Sequence, residues 1–286
     1  MSATPNPPGI VADNSAAGLT AQLAQVWDSL AGLGSGLTDT DWEAPTPCPG
    51  WPVSAQYAHM IGTESMLLGR PNPEVDAGSP AHVRNQIGGF NEVWVVALAS
   101  HPRMEVLDLF REVTTERRQA LAAMTEDDFS AESWTPVGKS DYRRFMQIRV
   151  FDCWVHEQDI RDALGRAGHE SGPVAEQAVD EIVRAAGYLV GKKAAAPAGS
   201  SVRFELTGPV ERRIDVAVTD GRAQVVESLD GDPVATVTLG STAFTRLACG
   251  RIGPAEVISD GRLGGVRLAG DAALGRRVAE NLAFTI

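Results

Sequence analysis

Residues 149–165 read R-V-F-D-C-W-V-H-E-Q-D-I-R-D-A-L-G, and this stretch constrains the chain more than any other. Asp152 and His156 stand four residues apart and Asp159 three further on, so on an α-helix the three share one stripe. Ile148, Phe151, Val155, Ile160 and Leu164 surround that stripe at helical spacing, which predicts a largely buried helix from Tyr142 to Leu164. An aspartate and an imidazole buried without partners cost free energy or change their protonation, so partners must be built in. Two kinds of partner satisfy the pair. A carboxylate and an imidazole one turn apart can hold a divalent metal ion, as an H-E-x-x-H helix does with two imidazoles. Alternatively Arg149, three residues before Asp152, closes an Arg–Asp–His hydrogen-bond network that needs no metal.

The chain has 286 residues, a length that predicts two domains, and its 43% hydrophobic and 22% charged residues are ordinary for a folded protein. A net charge of −12 disfavours binding to nucleic acid or to an anionic membrane. The first ten residues, M-S-A-T-P-N-P-P-G-I, lack the basic and apolar regions of a secretory signal, and the run Val93–Ala99 is too short to span a bilayer. A cytoplasmic protein is expected. Cys48, Cys153 and Cys249 are too few and too scattered for a disulfide framework or a C-x-x-C zinc site.

Composition divides the chain. Residues 1–13 are rich in Pro and Asn and are expected to be disordered. Residues 14–166 carry helical periodicity from Ala16 to Leu33, Val53 to Leu68, Val83 to Val96, Arg103 to Met124 and Tyr142 to Leu164, which predicts a helix bundle. Loops are expected in the proline-dense stretch before Val53, around Pro71, Pro73 and Pro80, and from Thr125 to Lys139. The stretch G-R-A-G-H-E-S-G-P, Gly165 to Pro173, reads as a domain boundary. Residues 172–286 begin with a helix from Val174 to Val190 and then switch to period two at Val202–Leu206, Ile214–Val218 and Val234–Leu239. Asp220-Gly221 and Asp230-Gly231 read as hairpin turns. A helix from Thr242 to Cys249, a strand at Val266–Leu268 and a helix capped by Asp271 complete an α+β domain with an antiparallel sheet. Residues 270–277 lack the Lys-Ser/Thr end of a phosphate loop, and no G-x-G-x-x-G or G-x-S-x-G element is present.

A catalytic metal site usually takes three protein ligands. Of the five histidines, His82, His101 and His169 lie in expected loops and read as solvated. His59 lies mid-helix in the same bundle as His156, and facing helices are how bundles assemble metal sites. The other reading of His59 is a core histidine bonded to a backbone carbonyl or a tyrosine.

The two motifs P-T-P-C-P-G-W-P-V-x-x-x-x-A-H-M (Pro45 to Met60) and R-x-x-D-x-x-x-H-E-x-D-I (Arg149 to Ile160) together resemble the mycothiol-dependent maleylpyruvate isomerase family. The resemblance implies a DinB-like four-helix metal-binding bundle followed by a smaller, sterol-carrier-protein-like α+β domain. It implies a divalent metal, usually zinc, on His59, Asp152 and His156, with mycothiol as co-substrate. The chain departs from the family pattern where Asp152 replaces a Glu, Pro52 a capping Ser/Thr, and Ala55 an acid one turn before the first His. Asp159 is then expected to orient His156, and Arg149 and Arg84 are candidates for holding an anionic substrate or thiol.

The function implied is activation of a small thiol for addition to an electrophilic substrate, giving isomerisation or S-transfer in a monomeric enzyme. The alternative is a non-catalytic metal- or small-ligand-binding protein of the same fold.

Overall fold

The computed structural model describes residues 7–285, which divide into two units, residues 13–169 and residues 7–12 with 170–285.

In the helical unit, α1 (Ala16–Ser35) starts where the Ser15 hydroxyl accepts from the Gly18 amide at 3.0 Å. It buries Leu19, Leu23, Val26, Trp27 and Leu30, the face expected from their spacing. A one-turn helix, α2 (Asp39–Trp42), is closed by a Thr38/Asp41 capping box. Its Trp42 stacks on Tyr57 at 5.0 Å. α3 (Val53–Leu67) is buried at every residue from Ala55 to Ser65, as befits a helix enclosed on all sides. α4 (Gln86–Leu98) and α5 (Arg103–Ala122) pack against it. The α3–α4 approach depends on Gly62, where a Cβ would lie 2.5 Å from the Trp94 ring.

The segment expected to be a loop, 125–139, instead holds a capped turn, α6 (Glu126–Phe129), and most of a hairpin of β1 (Glu132–Thr135) and β2 (Gly138–Asp141). Phe129 is buried, and Thr135 Oγ1 donates to Gly138 O at 2.6 Å across the turn. α7 (Tyr142–Leu164) starts at Asp141, whose carboxylate accepts from the Arg144 amide, and ends at Gly165 with φ +62°. α1, α3, α5 and α7 form the four-helix bundle, each packed on two of the others.

In the second unit, α8 (Pro173–Tyr188) is followed by β3 (Ser201–Thr207), β4 (Arg212–Thr219), β5 (Arg222–Val226), β6 (Ala235–Gly240), α9 (Ser241–Ala248), α10 (Pro254–Ile258), β7 (Val266–Gly270) and α11 (Ala272–Glu280). Asp271 caps α11 through the Leu274 amide at 3.0 Å. The sheet order is β5-β4-β3-β6-β7, antiparallel except for the parallel pair β3–β6. Asp220-Gly221 makes the expected β4–β5 hairpin. Asp230-Gly231 does not make one, because β5 and β6 are not neighbours. β4 already has partners on both sides, so the chain must cross to the open edge of β3. A D-G pair supplies a bend and cannot choose the edge.

Of the segment expected to be disordered, residues 1–6 lie outside the described residues, and residues 7–12 belong to this second unit. The Val11 and Ala12 amides donate to Asp180 Oδ2 at 2.9 and 2.8 Å. Arg212 Nη1 donates to Asp180 Oδ1 at 2.6 Å and to Gly9 O at 3.0 Å. One fully buried carboxylate on α8 thus holds the segment, a contact too remote in sequence for composition to reveal. Among the described residues no helix is long and apolar enough to cross a membrane. Asp180→Ala is expected to lower stability by about 3 kcal/mol, because Arg212 would lose its buried counter-charge. Chemical denaturation measures the loss, and limited proteolysis should then cut near residues 7–12. Unchanged stability would rule out the strap.

Candidate metal centre

His59 comes from the middle of α3, and Asp152 and His156 come from successive turns of α7. His59 Nε2 lies 3.0 Å from Asp152 Oδ2, and His156 Nε2 lies 3.5 Å from Asp152 Oδ1. All three offer a ligand atom within 4.8 Å of the others. The two imidazoles meet edge to face at 4.7 Å. Both histidines are buried, whereas the Asp152 side chain keeps 29% exposure. That exposure is toward a cavity of about 320 Å³ walled by α3, α4, α7 and the β1–β2 hairpin, with His59 and Asp152 in its lining.

The other side of His156 is also occupied. Its Nδ1 faces Asp159 Oδ2 at 3.3 Å, and the Cys48 thiol donates to the same oxygen at 3.3 Å. Cys48, His156 and Asp159 therefore form a second convergent group that shares the imidazole. Arg149 fixes Asp152 in turn. Its Nη1 donates to Asp152 Oδ2, its Nε and Nη2 donate to Glu64 Oε1 at 3.0 and 2.8 Å, and its Nη2 contacts Cys153 Sγ at 3.2 Å. Arg84 is exposed ahead of α4 and is not part of the cavity lining.

The electrostatics follow from this packing. Burial alone would lower His156, but Asp152, Asp159 and Cys48 outweigh it and hold the imidazole well above its ordinary 6.5. Burial lowers His59, and Asp152 opposes this only in part. Burial would raise Asp152, but His59 and Arg149 pull it well below 3.8. Around neutral pH the arrangement is an Asp152 carboxylate between an imidazolium at 156 and a neutral imidazole at 59. Burial pushes the Cys153 thiol up to about 12 against the opposing Arg149 charge, so it stays protonated.

Three contributors were not singled out from the sequence. Glu64, five residues past His59, is fully buried between Arg149 and Arg117, whose Nε donates to Glu64 Oε2 at 2.9 Å. Trp51, in the proline loop, lies over both imidazoles at 5.3 and 5.9 Å. Its indole donates to Glu92 Oε2 of α4 at 3.1 Å, and His82 Nε2 lies 3.0 Å from the same oxygen. His82 packs on Gly50, where φ is +81° and a Cβ would lie 2.6 Å from the ring. Of the three histidines expected to be solvated, only His101 is. His82 is held by Glu92, and His169 Nδ1 lies 2.7 Å from the buried Glu157. A loop position says where the backbone runs, while a buried acid decides where the ring goes.

The profile for the mycothiol maleylpyruvate isomerase N-terminal domain matches residues 23–161, and the profile for the MDMPI C-terminal domain matches residues 176–277. The chain belongs to the mycothiol-dependent maleylpyruvate isomerase family. The crystal structure of a mycothiol-dependent maleylpyruvate isomerase has a TM-score of 0.55 at 13% identity, with 89% of this chain and 92% of that chain covered. A mutant form of mycothiol-dependent maleylpyruvate isomerase gives 0.54 at 15% identity over the same shares. At this identity the likeness is one of fold.

Two uncharacterized proteins of Mycobacterium tuberculosis, from strains CDC 1551 / Oshkosh and ATCC 25618 / H37Rv, are 26% identical over 153 residues. That is 51% of this chain and 56% of theirs, so the chain spans about half the length of the curated relatives it matches.

In this member of the maleylpyruvate isomerase family, the ion-free site should titrate asymmetrically. His156, with its folded pKa raised above 6.5, contributes stability that is full below that pH and lost as pH rises through the folded value. Asp152, with its folded pKa depressed, contributes stability present above 3.8 and lost as pH falls through the folded value. Ring-nitrogen NMR of metal-free protein should show His59 titrating below 6.5 and His156 above it. The reverse order would contradict the geometry.

Proposed function

We propose that His59, Asp152 and His156 hold one divalent cation, zinc in the first instance, and that the chain uses it with mycothiol to add a thiol to an electrophilic substrate. The observation that carries this reading is the convergence of three donor atoms from two helices within 4.8 Å of one another beside a cavity. The residues fit an ion in two further respects. His156 has Asp159 on its Nδ1 side, which would leave Nε2 for coordination. His59 Nδ1 is buried with no hydrogen-bond partner among the described residues, so that ring is held from its Nε2 side alone.

When bound, a divalent ion here would lower the pKa of a ligated thiol so that thiolate exists at neutral pH. The rest falls to the chain. Arg149, anchored on Glu64, holds the Asp152 carboxylate in place and offsets part of its charge. Asp159 faces the Nδ1 side of His156 and would favour the tautomer that keeps its proton there. Trp51 covers the two imidazoles and keeps water from that side. The cavity beside Asp152 receives the electrophile. If the thiol leaves again after rotation about the former double bond, the outcome is isomerisation. If the adduct is kept, the outcome is S-transfer. A competing reading, a structural network without metal, has one feature in its favour: Arg149, His59 and His156 already gather on the Asp152 carboxylate.

Elemental analysis separates the two. The parent protein should retain about one equivalent of divalent metal after dialysis, and His59→Ala and Asp152→Ala should each retain far less. Uptake at pH 7 should release about one proton per ion, because His156 must give up its proton to coordinate. Titration calorimetry in two buffers of different ionisation enthalpy measures that release. Mycothiol consumption with an electrophilic substrate should then follow metal content. A parent that neither retains nor takes up metal would remove this mechanism and leave the network reading.

A further inference from the structure

The cavity beside Asp152 is walled mainly by apolar side chains: Met66 of α3, Ile87 and Phe90 of α4, Trp134 of β1, and Phe145 and Ile148 of α7. Trp134 meets Phe145 edge to face at 5.9 Å while remaining 54% exposed, so the hairpin contributes an aromatic wall at the rim. The neutral polar groups in the lining are Thr63, Gln86 and Asn91. Gln86 and Asn91 bring amide donors suited to a carbonyl oxygen.

The charge balance of this lining is decisive. Its single permanent cation among the described residues is Arg149, whose guanidinium is committed to Glu64, Asp152 and Cys153. Its anion is Asp152. A dicarboxylate entering here would meet a carboxylate and no uncommitted cation, and burying an unpaired charge is strongly unfavourable. An apolar body would instead gain about 25 cal/mol for each Å² it buries. The proposed metal does not reverse this, since the charge of a dication is balanced by Asp152 together with one incoming thiolate.

We infer that this cavity binds an uncharged, largely apolar electrophile of the α,β-unsaturated ketone class, with Trp134 as a specificity-determining wall. The inference rests on the proposed thiol chemistry for its reaction and on the cavity alone for its ligand class. The step balances without an oxidant or a leaving group. The thiolate sulfur forms a bond to the β-carbon, and the π electron pair moves to the α-carbon. That carbon takes up one proton, equal to the one the thiol released, and the product is a thioether.

The test is titration calorimetry on the full chain with benzylacetone, an unreactive saturated ketone, against fumarate, a small dianion. The parent should bind the ketone at least about tenfold more tightly than fumarate. Trp134→Ala should weaken ketone binding several-fold. Ile87→Arg, which places a cation at an exposed rim position, should move the preference toward fumarate. Fumarate binding as tight as the ketone in the parent would overturn the inference, and so would ketone binding indifferent to Trp134→Ala. Metal-loaded protein with mycothiol and benzylideneacetone then gives the chemical readout, thioether mass. Ketone binding that responds to Trp134→Ala but yields no thioether would overturn the thiol reading and leave the ligand class standing.

Discussion

The bundle depends on a chain of buried charges. Glu64 on α3 receives Arg117 of α5 on one carboxylate oxygen and Arg149 of α7 on the other, and Arg149 continues to Asp152. Two acids and two guanidiniums sum to no net charge, which lets the group be buried at all. Such a network contributes little stability over an apolar core of the same volume. Removing any one member, however, leaves a buried charge uncompensated, at a cost of about 3–5 kcal/mol. Its value is in position. Three helices are tied at one level, so the register that brings His59 opposite Asp152 cannot slide by a turn without breaking all the pairs together.

The loop before α3 applies the same logic at the surface of the site. Thr46 Oγ1 donates to Trp51 O at 2.7 Å and accepts from Gln56 at 2.8 Å, so the proline-rich turn is pinned to the helix it precedes. Trp51 is then fixed at its far end by Glu92, and Glu92 is also met by His82 from the long segment ahead of α4. Two irregular segments that could move independently thus share one buried carboxylate. A site placed on helices but roofed by loops needs this kind of tie, because the roof decides how dry the site is and the helices alone decide where the ligands are.

Local periodicity revealed the helical elements that carry His59, Asp152 and His156. The Asp152/His156 spacing and the surrounding apolar residues place α7 over Tyr142–Leu164, and a single mid-helix histidine points to the facing helix. Period-two alternation likewise marks β3, β4 and β6. What stayed illegible depends on distant partners. Glu64 is an ordinary helical glutamate until Arg117 and Arg149 are seen around it. The β1–β2 strands are four residues each and follow no alternation, since their hairpin is fixed by packing on α7. The Asp230-Gly231 bend was visible, but the edge of the sheet that β6 would join is settled by which strands already pair. The N-terminal strap has a loop-like composition and is held by Asp180 and Arg212, both more than 160 residues away.

The charge state of His156 connects the structural and chemical readings of the site. Without an ion, Asp152 and Asp159 both face this ring, and a proton on the imidazole supplies the positive charge they require. A cation at the three converging donors would supply that charge instead and expel the proton. A proton on this ring and the proposed cation would thus fill the same electrostatic role, so the charge balance of the protonated arrangement does not argue against a metal. Arg149 meets this carboxylate at Oδ2, the oxygen that His59 also approaches, and is itself anchored on Glu64. The guanidinium thereby holds the carboxylate still at the edge of the cavity that both side chains line, so whatever binds there meets an acid already fixed in position.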